Sequence, residues 1–262
     1  MFLFQTMFRV PTFFAALSEV LSAALEAVGV NPSIVNRRRD TYLYREIGDT
    51  VYLQQDGFDI TAYHFGSMSE GTTTLGMNSD TDTLVTHNDF NIMYTLEDWE
   101  RGKLNYLMVR DRTTPAQHYM LQVFRNDLPL PVPHTFINIP FHVTDEHGRV
   151  FLSNHYVIDQ AATGYGDAHL RRGPSNSSHK DFDFVFALRC NTLPPEIMSW
   201  FHRPRPVNWI PPDVMEAARR CPCFLVPDGH HASEKKDIEW RITPNLIESL
   251  LMSALISYIF SV

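Results

Sequence analysis

Between Phe65 and Val85 the chain reads FGSMSEGTTTLGMNSDTDTLV: a Gly66-Ser67 pair, twelve intervening residues, then Asp80-Thr81-Asp82. In an extended segment side chains alternate, so Asp80 and Asp82 project from one face, roughly 7 Å apart along the strand. Two carboxylates aimed at one spot repel each other and hold on to a proton unless a cation neutralises them. Mg²⁺, or Mn²⁺ in its place, meets that need because it takes hard oxygen ligands. Glycine at position 66 lets backbone come close to an anion, and free N–H groups together with the Ser67 hydroxyl can donate to phosphate oxygens. A cation site beside an anion-binding turn suits phosphoryl transfer, which needs metals and positioning more than covalent help from the protein. An isolated Asp-x-Asp also occurs as a solvated turn. A calcium loop is excluded because Leu84 stands at its fifth position and no glycine follows.

These residues need a scaffold. Apolar residues from Phe14 to Val28 recur at helical spacing and predict a long amphipathic helix that stops near Gly29 and Asn31-Pro32. A loop or helical turn carrying Arg37, Arg38 and Arg39 follows. Strands are predicted at Thr50 to Gln54, Ile60 to Phe65, Thr81 to Val85, Phe90 to Leu96, Asn105 to Val109, His118 to Phe124, Val150 to Ser153 and Asp183 to Leu188, each rich in β-branched or aromatic residues. They predict an α+β fold in which a mixed, twisted sheet packs on the first helix. Beyond Asn191 the texture changes to helices begun by proline, near Pro195 and Pro212. The expected division is therefore a core lobe over residues 1–190 and part of a helical lobe over residues 191–262.

The chain has 262 residues and a net charge of −8, which argues against a uniformly basic surface that grips nucleic acid. Three cysteines, Cys190, Cys221 and Cys223, make a poor disulfide framework and point to a reducing, cytoplasmic setting. Zinc held by these cysteines with His230 or His231 is a weaker reading than buried or surface thiols. The apolar opening is interrupted by Arg9 and Pro11, unlike a secretory signal. The apolar close, after Glu248, is too short for a membrane span.

The Gly-Ser and Asp-x-Asp spacing resembles the nucleotidyltransferase signature, and further segments resemble its cyclic GMP-AMP synthase and male-abnormal-21 branch. RRGPSNSSHKDFDFVFALRC is similar to the strand on which that family carries its third acid, and CPCFLVPDGHHASEKKDIEWRITPNLIESLL to its Val-Pro, Trp-Arg and Glu-x-x-Leu segment. The resemblance implies a third metal-binding carboxylate at Asp183, with Asp181 its nearest rival. It also implies nucleotide contacts from Arg241 and Thr243 beside Gly66 and Ser67, and a spine helix at the N-terminus. Asp80, Asp82 and Asp183 would be the catalytic and metal-binding set. The implied activity is nucleotidyl transfer from ATP or GTP to a ribose hydroxyl, giving a cyclic dinucleotide in innate immune signalling, with a double-stranded nucleic acid as activator touching Arg37 to Arg39. The family's helical lobe continues further, so a truncated representative is expected. A non-catalytic scaffold that binds a nucleotide or protein in regulation or development is the alternative. A nucleic-acid-binding module without catalysis fits the acidic balance least well. His64 reads as a packing residue and Trp240 as core.

Overall fold

The computed structural model describes residues 12–27, 31–55, 57, 59–70, 81–134, 141–156, 170–177, 182–204 and 210–259. Two helices come first, α1 (Thr12–Ala27) and α2 (Pro32–Gln54). Strand β1 (Ile60–Phe65) and one helical turn, α3 (Ser67–Glu70), lead into β2 (Thr81–His87), β3 (Phe90–Met93), β4 (Leu104–Val109) and β5 (His118–Phe124). Short strands β6 (His142–Thr144), β7 (Val150–Leu152), β8 (Leu170–Arg172) and β9 (Ser175–Ser177) precede the long β10 (Phe182–Cys190). Helices α4 (Pro195–Phe201) and α5 (Pro212–Arg219), strands β11 (Cys223–Val226) and β12 (Glu239–Thr243), and helix α6 (Asn245–Ile259) complete the described chain.

The sheet runs β1-β2-β10-β11-β12-β5-β4-β3, and β3 returns to β10 through the pair Cys190↔Ile92. Six strands, β3, β4, β5, β12, β11 and β10, thus form a closed circuit. Side chains alternate along each of them, so every second residue faces the enclosed core, where Tyr106, Leu121, Leu188, Leu225 and Trp240 meet. The Trp240 indole N–H donates to the Leu152 carbonyl at 3.1 Å, so this core tryptophan buries no orphaned polar group. The fold is α+β with a mixed sheet, as the sequence predicts.

Two expectations fail in the first 55 residues. The segment expected as a loop or helical turn at Arg37 to Arg39 and a strand at Thr50 to Gln54 is one helix of 23 residues, α2, which agrees with the helical alternative for the arginines but not with the strand; it is begun by Pro32 and by Asn31, whose side chain accepts from the Ile34 N–H at 3.0 Å. That helix, rather than α1, lies along β1. The described side chains of α1 are exposed or half-buried. The reason lies in the edge of the sheet. β1 is an edge strand, and its outward backbone groups are met by three α2 side chains spaced four residues apart: Glu46 accepts from the His64 N–H (2.7 Å), Thr50 from the Ala62 N–H (3.0 Å), and Gln54 donates to the Ile60 carbonyl (2.9 Å). A helix that faces the sheet with polar residues carries no ordinary amphipathic signal.

The boundary expected at residue 191 does not divide the sheet either. The partner strands β11 and β12 both come from beyond it, and they sit between β10 and β5. Among the described residues, no helix is long and apolar enough to cross a membrane.

Candidate functional site

Strands β1 and β2 run antiparallel with Phe65 opposite Asp82, so the turn that follows Phe65 begins beside Asp82. Gly66 takes φ +90°, a left-handed conformation that costs a side-chain-bearing residue dearly, and the chain reverses there into α3. The Glu70 N–H and the Ser69 hydroxyl both donate to the Gly66 carbonyl at 3.0 Å, which fixes the reversal. Strand β10 then lies parallel to β2 with Asp183 as the direct partner of Asp82. Partners on neighbouring strands share a face of the sheet, and the strands stand about 4.8 Å apart, so the two carboxylates are neighbours. Asp80 and Asp181 lie outside the described residues.

A cleft of about 270 Å³ opens on this face. Its floor is apolar, with Phe65, Leu84, Val185 and Val226. Its rim is polar, with Gly66, Glu70 and Asp82 on one side and Arg241, Thr243 and Glu248 on the other. Four of the residues expected in a nucleotide site, Gly66, Asp82, Arg241 and Thr243, therefore meet around one cavity from two distant parts of the chain. Ser67 opens α3 next to Gly66, and Asp183 stands beside Asp82; neither is part of the cleft lining.

Arg241 is held in place. Its Nε donates to Asp228 Oδ2 at 2.8 Å, and both side chains are about one-third exposed. Asp228 sits on the loop between β11 and β12, and that loop is anchored by Glu239, which is fully buried and accepts from the His230 N–H (3.0 Å) and the Ser233 hydroxyl (2.5 Å). Gly229 in the same loop has no room for a side chain, since a Cβ there would come within 1.8 Å of the Lys236 carbonyl oxygen. The Thr243 hydroxyl donates to Asn245 Oδ1 at 2.6 Å, at the start of α6.

The cleft is acidic beyond the expected pair. Glu70 and Glu248 face it, and burial, with Glu248 and Asp82 nearby, raises the Glu70 pKa from its ordinary value. The sequence alone assigns Glu70 and Asp228 no role in the site. Glu70 stands four residues past Gly66, one helical turn on, and that spacing is a usable signal; Asp228 had only the turn-forming Pro227-Asp228-Gly229 run.

His64 points away from the cleft. Its ring nitrogens engage Thr83 (2.9 Å) and Asp49 (2.8 Å), which makes it a buried strut between β2 and α2. Cys190 and Cys223 are buried partners across β10 and β11, and no cluster of three or more His, Cys, Asp or Glu side chains with metal-binding geometry occurs among the described residues. The zinc reading gains nothing from them.

The chemistry of the donor set still suits a hard divalent cation. Asp82 and Asp183 side by side on adjacent strands, with Glu70 and Glu248 in the cleft that Asp82 lines, concentrate negative charge that a bound cation would relieve. Comparison with protein-family models and with curated proteins finds no match to this chain.

Proposed function

We propose that the protein is a Mg²⁺-dependent nucleotidyltransferase of the cyclic GMP-AMP synthase type, which transfers a nucleotidyl group from ATP or GTP to a ribose hydroxyl in a reducing, cytoplasmic setting. The observation that carries this reading is the register Asp82↔Asp183 on parallel strands, directly beside the left-handed Gly66 turn. Three segments that resemble a nucleotidyltransferase signature on sequence meet there around one cleft.

In this reading Asp82 and Asp183, with Asp80, hold Mg²⁺ or Mn²⁺, which when bound supplies charge neutralisation and orients a triphosphate. The chain does the rest. The Gly66-Ser67 turn offers backbone without a side chain where phosphate must come close. Arg241, which lines the cleft, presents a planar, permanently charged guanidinium whose Nε is committed to Asp228, so a phosphate would be met by its terminal nitrogens. The apolar floor of Phe65, Leu84 and Val226 keeps that end of the cleft poor in water, which strengthens each polar contact on the rim. Asp82 or Asp183 would accept the proton of the attacking hydroxyl.

Incubation of the purified protein with labelled ATP and GTP, Mg²⁺ or Mn²⁺, and double-stranded RNA or DNA tests the proposal. The expected result is a nucleotidyl-transfer product that Asp82→Asn and Asp183→Asn both abolish. A product indifferent to both substitutions, or none under any metal and nucleic-acid condition, contradicts it and favours the non-catalytic scaffold reading.

A further inference from the structure

Strands β2 and β10 run parallel away from the cleft, and a second cavity of about 300 Å³ lies where they end. His87 and Asn88 of the β2 end, Glu100 and Lys103 ahead of β4, and Arg189 and Asn191 of the β10 end line it. His87 stands five residues along β2 from Asp82, roughly 17 Å at the rise of a strand. No described residue lines both cavities.

Two half-buried cations meet only neutral partners here. The Lys103 ammonium donates to the Asn88 carbonyl at 3.0 Å. Arg189 donates from Nε to Asn191 Oδ1 at 3.0 Å and from Nη1 to the Tyr63 hydroxyl at 3.3 Å. Neither forms an ion pair with a carboxylate among the described residues, whereas Arg110, Arg149, Arg241 and Lys235 each do. A charge drawn partly out of water without an opposite charge is costly, and a bound anion would offset that cost. The donors are also set before a ligand arrives. Arg189 is braced from two sides with Nη2 uncommitted, and Lys103 uses one of its three N–H groups, so little freedom would be lost on binding. The nearby acids do not compete for these donors. Glu100 is exposed and its carboxylate bonds neither cation, while Asp59 accepts from the Asn88 amide at 2.8 Å.

We propose that this cavity binds the phosphate group of a small molecule, gripped by Arg189 and Lys103 with the Asn191 amide beside them. A guanidinium offers phosphate oxygens a planar pair of N–H groups, and an ammonium adds a point charge. The volume is at the lower limit of ligand pockets, which suits phosphate or a small phosphate ester rather than a nucleic-acid strand, whose approach a net charge of −8 also opposes. Phe90 supplies one apolar wall for the organic part of an ester.

Equilibrium dialysis of the full chain against radiolabelled orthophosphate in EDTA tests the proposal, because metal-dependent binding in the cleft is then silent. Saturation at one phosphate per chain is expected. Lys103→Gln and Arg189→Gln should each weaken binding by about 10- to 100-fold, and Arg189→Lys should recover part of the loss. Glu100→Gln should tighten binding by removing a like charge from the rim, and Arg241→Ala, in the cleft, should leave it unchanged. On the unaltered protein, phosphate should slow acetylation of Lys103 relative to the exposed Lys236, a readout that no folding defect can mimic. Displacement of the label at lower concentration by glycerol phosphate than by unlabelled orthophosphate identifies an ester as the ligand, and the reverse order identifies the free ion. Absence of saturable binding, binding that persists in both Lys103→Gln and Arg189→Gln, or binding lost in Arg241→Ala would each overturn the proposal.

Discussion

Replacing Asp183 by Asn removes one of two neighbouring carboxylates and keeps its shape, so it should move stability in opposite directions with and without metal. Asp82 and Asp183 stand on strands about 4.8 Å apart. At about 5 Å two unit charges repel by about 1 to 3 kcal/mol as the effective dielectric falls from 80 to 20. Asp82 is exposed and Asp183 half-buried, so the lower figure applies. Without divalent cation the variant should therefore be more stable by about 1 kcal/mol, a rise of about 2 to 4 °C in melting temperature for a chain of this size. With Mg²⁺ and ATP at a hundred times their dissociation constant, wild type should gain about 2.7 kcal/mol, and the variant should lose most of that gain. Differential scanning fluorimetry in EDTA and in Mg²⁺-ATP reads both arms. A variant that melts lower in EDTA yet keeps the full metal-dependent shift would refute the claim that these two acids share a cation.

Arg241→Ala should weaken ATP binding by about 10- to 100-fold, the worth of a charge-assisted hydrogen bond of about 1.5 to 3 kcal/mol, and Arg241→Lys should recover only part of it, because an ammonium cannot both pair with Asp228 and present a planar fork; fluorescence titration with a labelled triphosphate measures both. Burial lowers the pKa of His64, and of His87 and His142, below the usual value of about 6.5. The unfolded chain then binds more protons than the native one below that value, so stability to urea should fall as pH drops from about 6.5 toward 5. Replacing His64 by Leu, which strands the buried Thr83 hydroxyl, should cost about 1 to 3 kcal/mol and flatten part of that slope.

Most strands of the sheet were legible because β-branched and aromatic residues are concentrated in them: His118 to Phe124 and Ile60 to Phe65 match the predicted bounds residue for residue. The strand Cys223–Val226 was not, since all four of its residues are buried and a continuous apolar run carries no period. Glu239–Thr243 hid behind a charged residue at a fully buried position, tolerable only because the His230 N–H and Ser233 hydroxyl satisfy it. Helix α2 misled for the opposite reason: its β-branched residues Thr50 and Val51 read as strand, and its apolar ridge faces out. For the site, the spacing from Gly66-Ser67 to Asp82 was readable because a turn and a strand entry are local. The meeting of Asp82 with Asp183, across a hundred residues, depended on the resemblance, and the Asp228 anchor of Arg241 depended on a loop whose path no local rule sets.

Calorimetric titration of ATP into the wild-type protein and into Asp82→Asn, each with Mg²⁺ and with EDTA, tests the shared-cation claim most directly. The account predicts binding to wild type only with Mg²⁺ and a loss of at least about tenfold in Asp82→Asn, as expected when a metal-bridged contact worth about 1.4 kcal/mol or more is removed. Equal binding in EDTA, unchanged by the substitution, would contradict it.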